Sequence, residues 1–128
     1  MRYEDTFDGL YGLRVTHHED GLVRGEVDVA DRIKQPAGLV HGGIYASMAE
    51  SLASMATWLA VKDEGRMAMG LSNQTSFVRP ITAGTVHAEA RARHRGRTTW
   101  IWDIRITDDD GRACAVSRMT IAVREARS

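Results

Sequence analysis

The chain is 128 residues long, enough for one hydrophobic core and too short for two ordinary domains. A hydrophobic fraction of 43% and a charged fraction of 27% exclude a disordered chain, and 17 Lys plus Arg balance 17 Asp plus Glu, so no overall field favours nucleic acid or a membrane surface as partner. The single cysteine, Cys114, rules out an intrachain disulfide and a cysteine-based metal site and fits a reducing, cytoplasmic compartment.

In chain order, the acid-bearing start MRYEDTFDGL predicts no signal peptide, and the later apolar stretch, broken by Glu50 and serines, predicts no membrane span. From Leu10 to about Val29 two β-like runs, LYGLRVTH and LVRGEVDV, flank the turn-forming Glu19-Asp20-Gly21 and predict an opening hairpin. Residues 31–40, with Pro36 and Gly38, read as a loop. From about Gly43 to Val61 the chain is dense in Ala, Met and Leu and free of proline, which predicts a helix of roughly 19 residues and about 28 Å. Met48, Leu52, Met55 and Leu59 form an apolar stripe on it, beside a polar line of Ser47, Glu50, Ser54 and Thr57. Four strands follow, at about Met67 to Arg79, Thr85 to Arg95, Thr98 to Thr107 and Ala113 to Arg124, with alternation clearest in Val86, Ala88, Ala90 and Ala92 and in Trp100, Trp102, Ile104 and Ile106. Arg95-Gly96-Arg97 and Asp108-Asp109-Asp110-Gly111 supply hairpin turns. The expected class is α+β: one long central helix packed on an antiparallel sheet, the last four strands a sequential meander, in a single domain spanning 1–128.

The chemistry concentrates between Gln35 and Ser54. In Gln35-Pro-Ala-Gly-Leu-Val-His41-Gly42-Gly43 two glycines sit directly before the helix, where free N–H groups and the positive end of the helix dipole suit a carbonyl oxygen gaining negative charge. Glu50, two turns in, is a carboxylate on an otherwise small and apolar helix, able to activate water or to attack an acyl carbon. Ser54 falls on the same face at i+4. Eight residues along one helix put roughly 12 Å between Gly42 and Glu50, too far for both to act on one acyl carbon. If they are partners, each comes from a different subunit of a symmetric dimer with antiparallel helices.

The pattern of Gln35, His41-Gly42-Gly43, Glu50 and Ser54, with Asn73 and Val78-Arg79-Pro80 after it, resembles the hotdog-fold thioesterases of the 4-hydroxybenzoyl-CoA thioesterase and phenylacetate-pathway (PaaI-like) group, in their glutamate-using branch. The resemblance runs from about Phe7 to Val123. It implies hydrolysis of a small aryl- or acyl-CoA thioester, with coenzyme A as part of the substrate and no separate cofactor, in a dimer of dimers with sites at the dimer interface. It also implies roles: Gly42 N–H polarises the thioester carbonyl, Glu50 is nucleophile or general base, Gln35 orients carbonyl or water, Ser54 positions water, and His41 stands near the thioester. For the nucleotide phosphates it points to Arg79, Arg95 and Arg97, whose guanidinium forks match phosphate oxygens. One departure stands out: some relatives have a histidine just before the Val78-Arg79-Pro80 equivalent, where this chain has Phe77.

Each residue also has a plainer reading. Gly42 and Gly43 could serve only a tight turn, and His41 could be a core histidine. The run Arg91, Arg93, Arg95 and Arg97 reads as a solvated strand face. His17, His18, His87 and His94 show no metal-ligand spacing, the three tryptophans read as core or interface, and Cys114 as packing. Competing functions are proofreading of acyl groups on a carrier protein, a non-catalytic acyl-CoA sensor, and a dehydratase, for which no acid–base histidine motif surrounds His41.

Overall fold

The computed structural model describes residues 1–126. A short helix α1, Phe7–Tyr11, precedes strands β1, Arg14–Glu19, and β2, Leu22–Asp28. The long helix α2, Gly42–Val61, follows, then β3, Arg66–Phe77, β4, Thr85–Arg95, β5, Thr99–Thr107, and β6, Ala113–Glu125. All six strands join one antiparallel sheet in the order β1-β2-β4-β5-β6-β3.

The expected opening hairpin is there, but Leu10 and Tyr11 are helical rather than extended. Thr6 accepts the Gly9 N–H at 3.2 Å and Gly12 closes α1 with φ 83°, a cap at each end that outweighs the β propensity of so short a run. The predicted four-strand meander needs correction too. β4, β5 and β6 do follow one another, whereas β3 lies beyond β6 at the sheet edge and β4 pairs with β2. Helix α2 crosses one face of the sheet, chiefly over β3 and β6, and so delivers the chain to the far edge. From there residues 78–84 return across three strand spacings, about 14 Å at ~4.8 Å each, well within the reach of that length of extended chain.

The face of α2 turned to the sheet carries Tyr45, Met48, Ala49, Leu52, Ala53 and Ala56, all buried against Val23, Val86, Ile104, Met119 and Ile121. The alanines let helix and sheet approach closely, and Met55 and Leu59 of the predicted stripe are only partly buried at its margin. Thr57, predicted on the polar line, is instead fully buried. Its hydroxyl donates to the Ala53 carbonyl at 2.8 Å and accepts the Trp102 Nε1–H at 2.9 Å, so the one polar atom of that indole is satisfied inside the core. Trp100 and Trp102 are buried as expected, while Trp58 is 46% exposed with the Lys62 ammonium over its ring.

The opposite face of the sheet is a lattice of charge. Arg24 and Arg91 flank Glu89, and Arg93 and Arg118 flank Asp103, which holds both carboxylates below their ordinary range. Arg91 and Arg93 thus belong to a solvated, paired face. No helix of the described residues is long and apolar enough to cross a membrane.

Candidate active site

The turn into α2 is fastened on both sides. Val40 N–H donates to the Ile81 carbonyl and His41 N–H to the Ile33 carbonyl, each at 2.9 Å. His41 is the N-cap: its ring Nδ1 accepts the Gly43 N–H at 2.8 Å. An accepting Nδ1 carries no proton, so the neutral ring presents its N–H at Nε2. His41 is exposed and is therefore a cap at the surface, not a core histidine.

That cap settles which amide is available. Gly43 N–H is taken by His41 and Ile44 N–H donates to the His41 carbonyl at 2.9 Å, which leaves Gly42 N–H without an acceptor among the described residues. The glycines themselves are not there for the turn: neither has a positive φ. What they supply is space. A Cβ at Gly42 would lie 2.9 Å from the Phe77 ring, and one at Gly43 would lie 2.8 Å from the His41 Nδ1 that forms the cap.

Beside Gly42 lies a cleft of about 570 Å³, walled by Gln35, Leu39, His41, Tyr45, Phe77 and the returning segment Val78-Arg79-Pro80. Gln35 accepts the Ala37 N–H through Oε1 at 3.2 Å, a local bond that orients the amide and keeps its NH2 free of that turn. Val78 and Arg79 N–H groups both donate to the Cys114 carbonyl, at 2.8 and 3.1 Å, which fixes the wall to the start of β6. The Cys114 thiol is buried and pushed up by desolvation, which suits packing and not nucleophilic attack. Burial likewise pushes the Tyr45 phenol up to about 12, so that phenol stays neutral.

Glu50 does not line this cleft. It is exposed on α2 and its carboxylate lies against β3, where a Cβ at Gly70 would be 3.5 Å from Cδ and Oε2. The register slips beside it, Gly70 pairing with Ile121 and Ser72 with Thr120, so that Leu71 bulges out at the sheet edge. Asn73 Nδ2 donates to the Ala46 carbonyl at 2.9 Å and ties β3 to the helix one turn before Glu50. Ser54 is partly buried one turn after Glu50. The isolated Gly70 within a strand pattern is a sequence signal of a bulge or close approach. Nothing in the sequence signals that Phe77 rests on Gly42.

Among the arginines, Arg79 stands at the Gly42 cleft, whereas Arg95 and Arg97 line a separate hollow with Ala60 and Val61 at the other end of α2. The helix separates them by roughly 30 Å within one chain. Arg95 is also engaged by Asp20 at 2.7 Å and lies over the Trp100 ring. Among the described residues no group of His, Cys, Asp and Glu is arranged to hold a metal ion.

Comparison with known proteins agrees with this architecture. The family model described as the thioesterase superfamily matches residues 37–115. A proofreading thioesterase, EntH, of Klebsiella pneumoniae is 39% identical over 120 residues, covering 94% of this chain and 87% of that protein. A 1,4-dihydroxy-2-naphthoyl-CoA hydrolase of Escherichia coli is 34% identical over 120 residues, covering 94% and 88%. The crystal structure of a mutant thioesterase from Pseudomonas aeruginosa superposes with a TM-score of 0.90 at 38% identity, covering 94% of this chain and 86% of that one. With a family model over most of its length, an unpaired amide at a helix N-terminus and an exposed helical carboxylate, the chain belongs to the thioesterase superfamily and is a hotdog-fold thioester hydrolase.

Proposed function

We propose that the chain, read as one hotdog unit over 1–128, hydrolyses a small aryl- or acyl-CoA thioester to the free acid and CoA at a site shared by two subunits. The observation that carries this reading is the division of the chemistry. The unpaired Gly42 amide and Glu50 lie eight residues apart on one helix, roughly 12 Å, and open to different surroundings. A second copy completes the site. β3 is an edge strand of 12 residues with Met69, Leu71 and Phe77 exposed, a surface suited to pairing with another β3 around a two-fold axis. Pairing there runs the two α2 helices antiparallel and brings each Glu50 toward the partner's Gly42.

In that site the thioester carbonyl oxygen accepts the Gly42 N–H, reinforced by the dipole of the 20-residue helix and by the Nε2–H that capping leaves on His41. Gln35 contributes its free NH2 to carbonyl or water. Glu50 takes a proton from water as it adds to the carbonyl carbon, or adds itself to give an anhydride that water then cleaves, with Ser54 holding the water. On either route the C–S bond breaks, CoA leaves as the thiolate and is protonated, and water is consumed to release the free acid. On the anhydride route its oxygen enters the acid when water adds to the acyl carbon and stays on Glu50 when it adds to the Glu50 carboxyl carbon. Arg79, exposed and lining the cleft, meets the CoA phosphates. Arg95 and Arg97 can share that task only across the dimer. The lone buried Cys114 fits a cytoplasmic setting. Proofreading of wrongly loaded acyl groups would use the same residues, and the name of the Klebsiella relative supports it as the second reading.

Release of free thiol from a panel of aryl- and alkyl-CoA thioesters tests the proposal. Glu50→Ala and Glu50→Gln are expected to lose on the order of a hundredfold or more in kcat while staying folded. A folded wild type that binds these thioesters and hydrolyses none, or Glu50 variants of full activity, would overturn it.

A further inference from the structure

Phe77 is a large aromatic ring in an unusual place. It ends the edge strand β3, is 60% exposed, and packs against Gly42 so closely that a Cβ there would meet it at 2.9 Å. Its centroid is 6.2 Å from that of Tyr45, which backs the same cleft and is itself only 3% exposed. One side of the ring is thus held by the helix and the rest is open.

We infer that Phe77 is the specificity-determining residue of this chain and selects thioesters by shape at the α-carbon of the acyl group. The inference rests on the thioesterase reading. A carbonyl whose oxygen accepts the Gly42 N–H must lie beside the ring that covers Gly42, so the carbon next to the carbonyl passes along that ring. A flat, conjugated α-carbon lies parallel to it in contact distance and gains from stacking. A quaternary α-carbon presents a methyl group toward the ring from any rotamer, so it forgoes the stacking and reaches the Gly42 amide, fixed by the capped helix start, only by turning the ring outward from Tyr45. Leu39, Val78 and Pro80 supply apolar wall nearby, and Phe77 is the ring set directly against Gly42.

The test compares kcat/KM for benzoyl-CoA and pivaloyl-CoA in the full-length wild type, Phe77→Ala, Phe77→Leu and Phe77→Tyr. The intrinsic slowness of the hindered ester cancels when the benzoyl-to-pivaloyl ratio of each variant is divided by that of the wild type. The expected result is a ratio lowered by about tenfold or more in Phe77→Ala, lowered in part in Phe77→Leu and kept in Phe77→Tyr, a loss of selectivity that mere destabilisation would not produce. A ratio within about twofold of wild type in both Phe77→Ala and Phe77→Leu overturns the inference and leaves the thioesterase reading standing. A wild type that hydrolyses neither ester removes that reading and the inference with it.

Discussion

A methyl group at position 42 would fall 2.9 Å from the Phe77 ring, beside the Gly42 N–H, which has no partner among the described residues. Glycine there makes room for the Phe77 ring, and its backbone is ordinary. Gly42→Ala should therefore fold, since the ring it displaces is exposed, yet lose on the order of a hundredfold in kcat by moving or blocking one oxyanion donor. Thermal unfolding and thiol release on the same preparation check both halves of that expectation. At this scale the sequence was informative: the spacing of Gln35, His41-Gly42-Gly43 and Glu50 singled out the helix start and a helical carboxylate before any coordinates. It could not say which amide remains free. That depends on His41 Nδ1 turning back to cap Gly43, a side-chain choice that spacing does not encode.

Among the elements, α2 has the most to reconcile, because one helix must bury a face, carry Glu50 to the sheet edge and present an unpaired N-terminus. Small residues solve the first demand, and Thr57 solves a local one by accepting the indole N–H of Trp102 in the core. Thr57→Val keeps the shape and removes the acceptor, leaving that N–H buried and unpaired. It should cost about 1–3 kcal/mol in chemical denaturation while kcat at low temperature is unchanged. A variant of wild-type stability would mean the bond contributes nothing net. β4, β5 and β6 were legible because each alternates with period two and tight turns join them. The place of β3 was not, because its 12 residues pair with β6 through contacts far apart in sequence, and local pattern carries no such information. Helix α1 was hidden for the opposite reason: five residues are too few for a period, and only Thr6 and Gly12 mark its ends.

On the proposed reading the whole molecule, taken as one chain, holds two halves of a site and no complete one. A cleft beside the unpaired Gly42 amide sits at the start of α2, a carboxylate lies two turns on against the edge strand, and that edge strand is unpaired on its outer side. Two copies joined through β3 would contain two identical sites, each drawing Gly42 from one subunit and Glu50 from its partner. Co-expression of Glu50→Ala with Gly42→Ala, each inactive alone, puts this to the test most directly. In a heterodimer one site receives both substitutions and the other receives neither. Random assortment makes half the dimers mixed, so thiol release should recover to roughly one quarter of the wild-type rate per subunit. If the mixture stays as inactive as either parent while size-exclusion and mass measurements show the mixed dimer present, Gly42 and Glu50 do not serve one site across an interface, and the shared-site account is wrong.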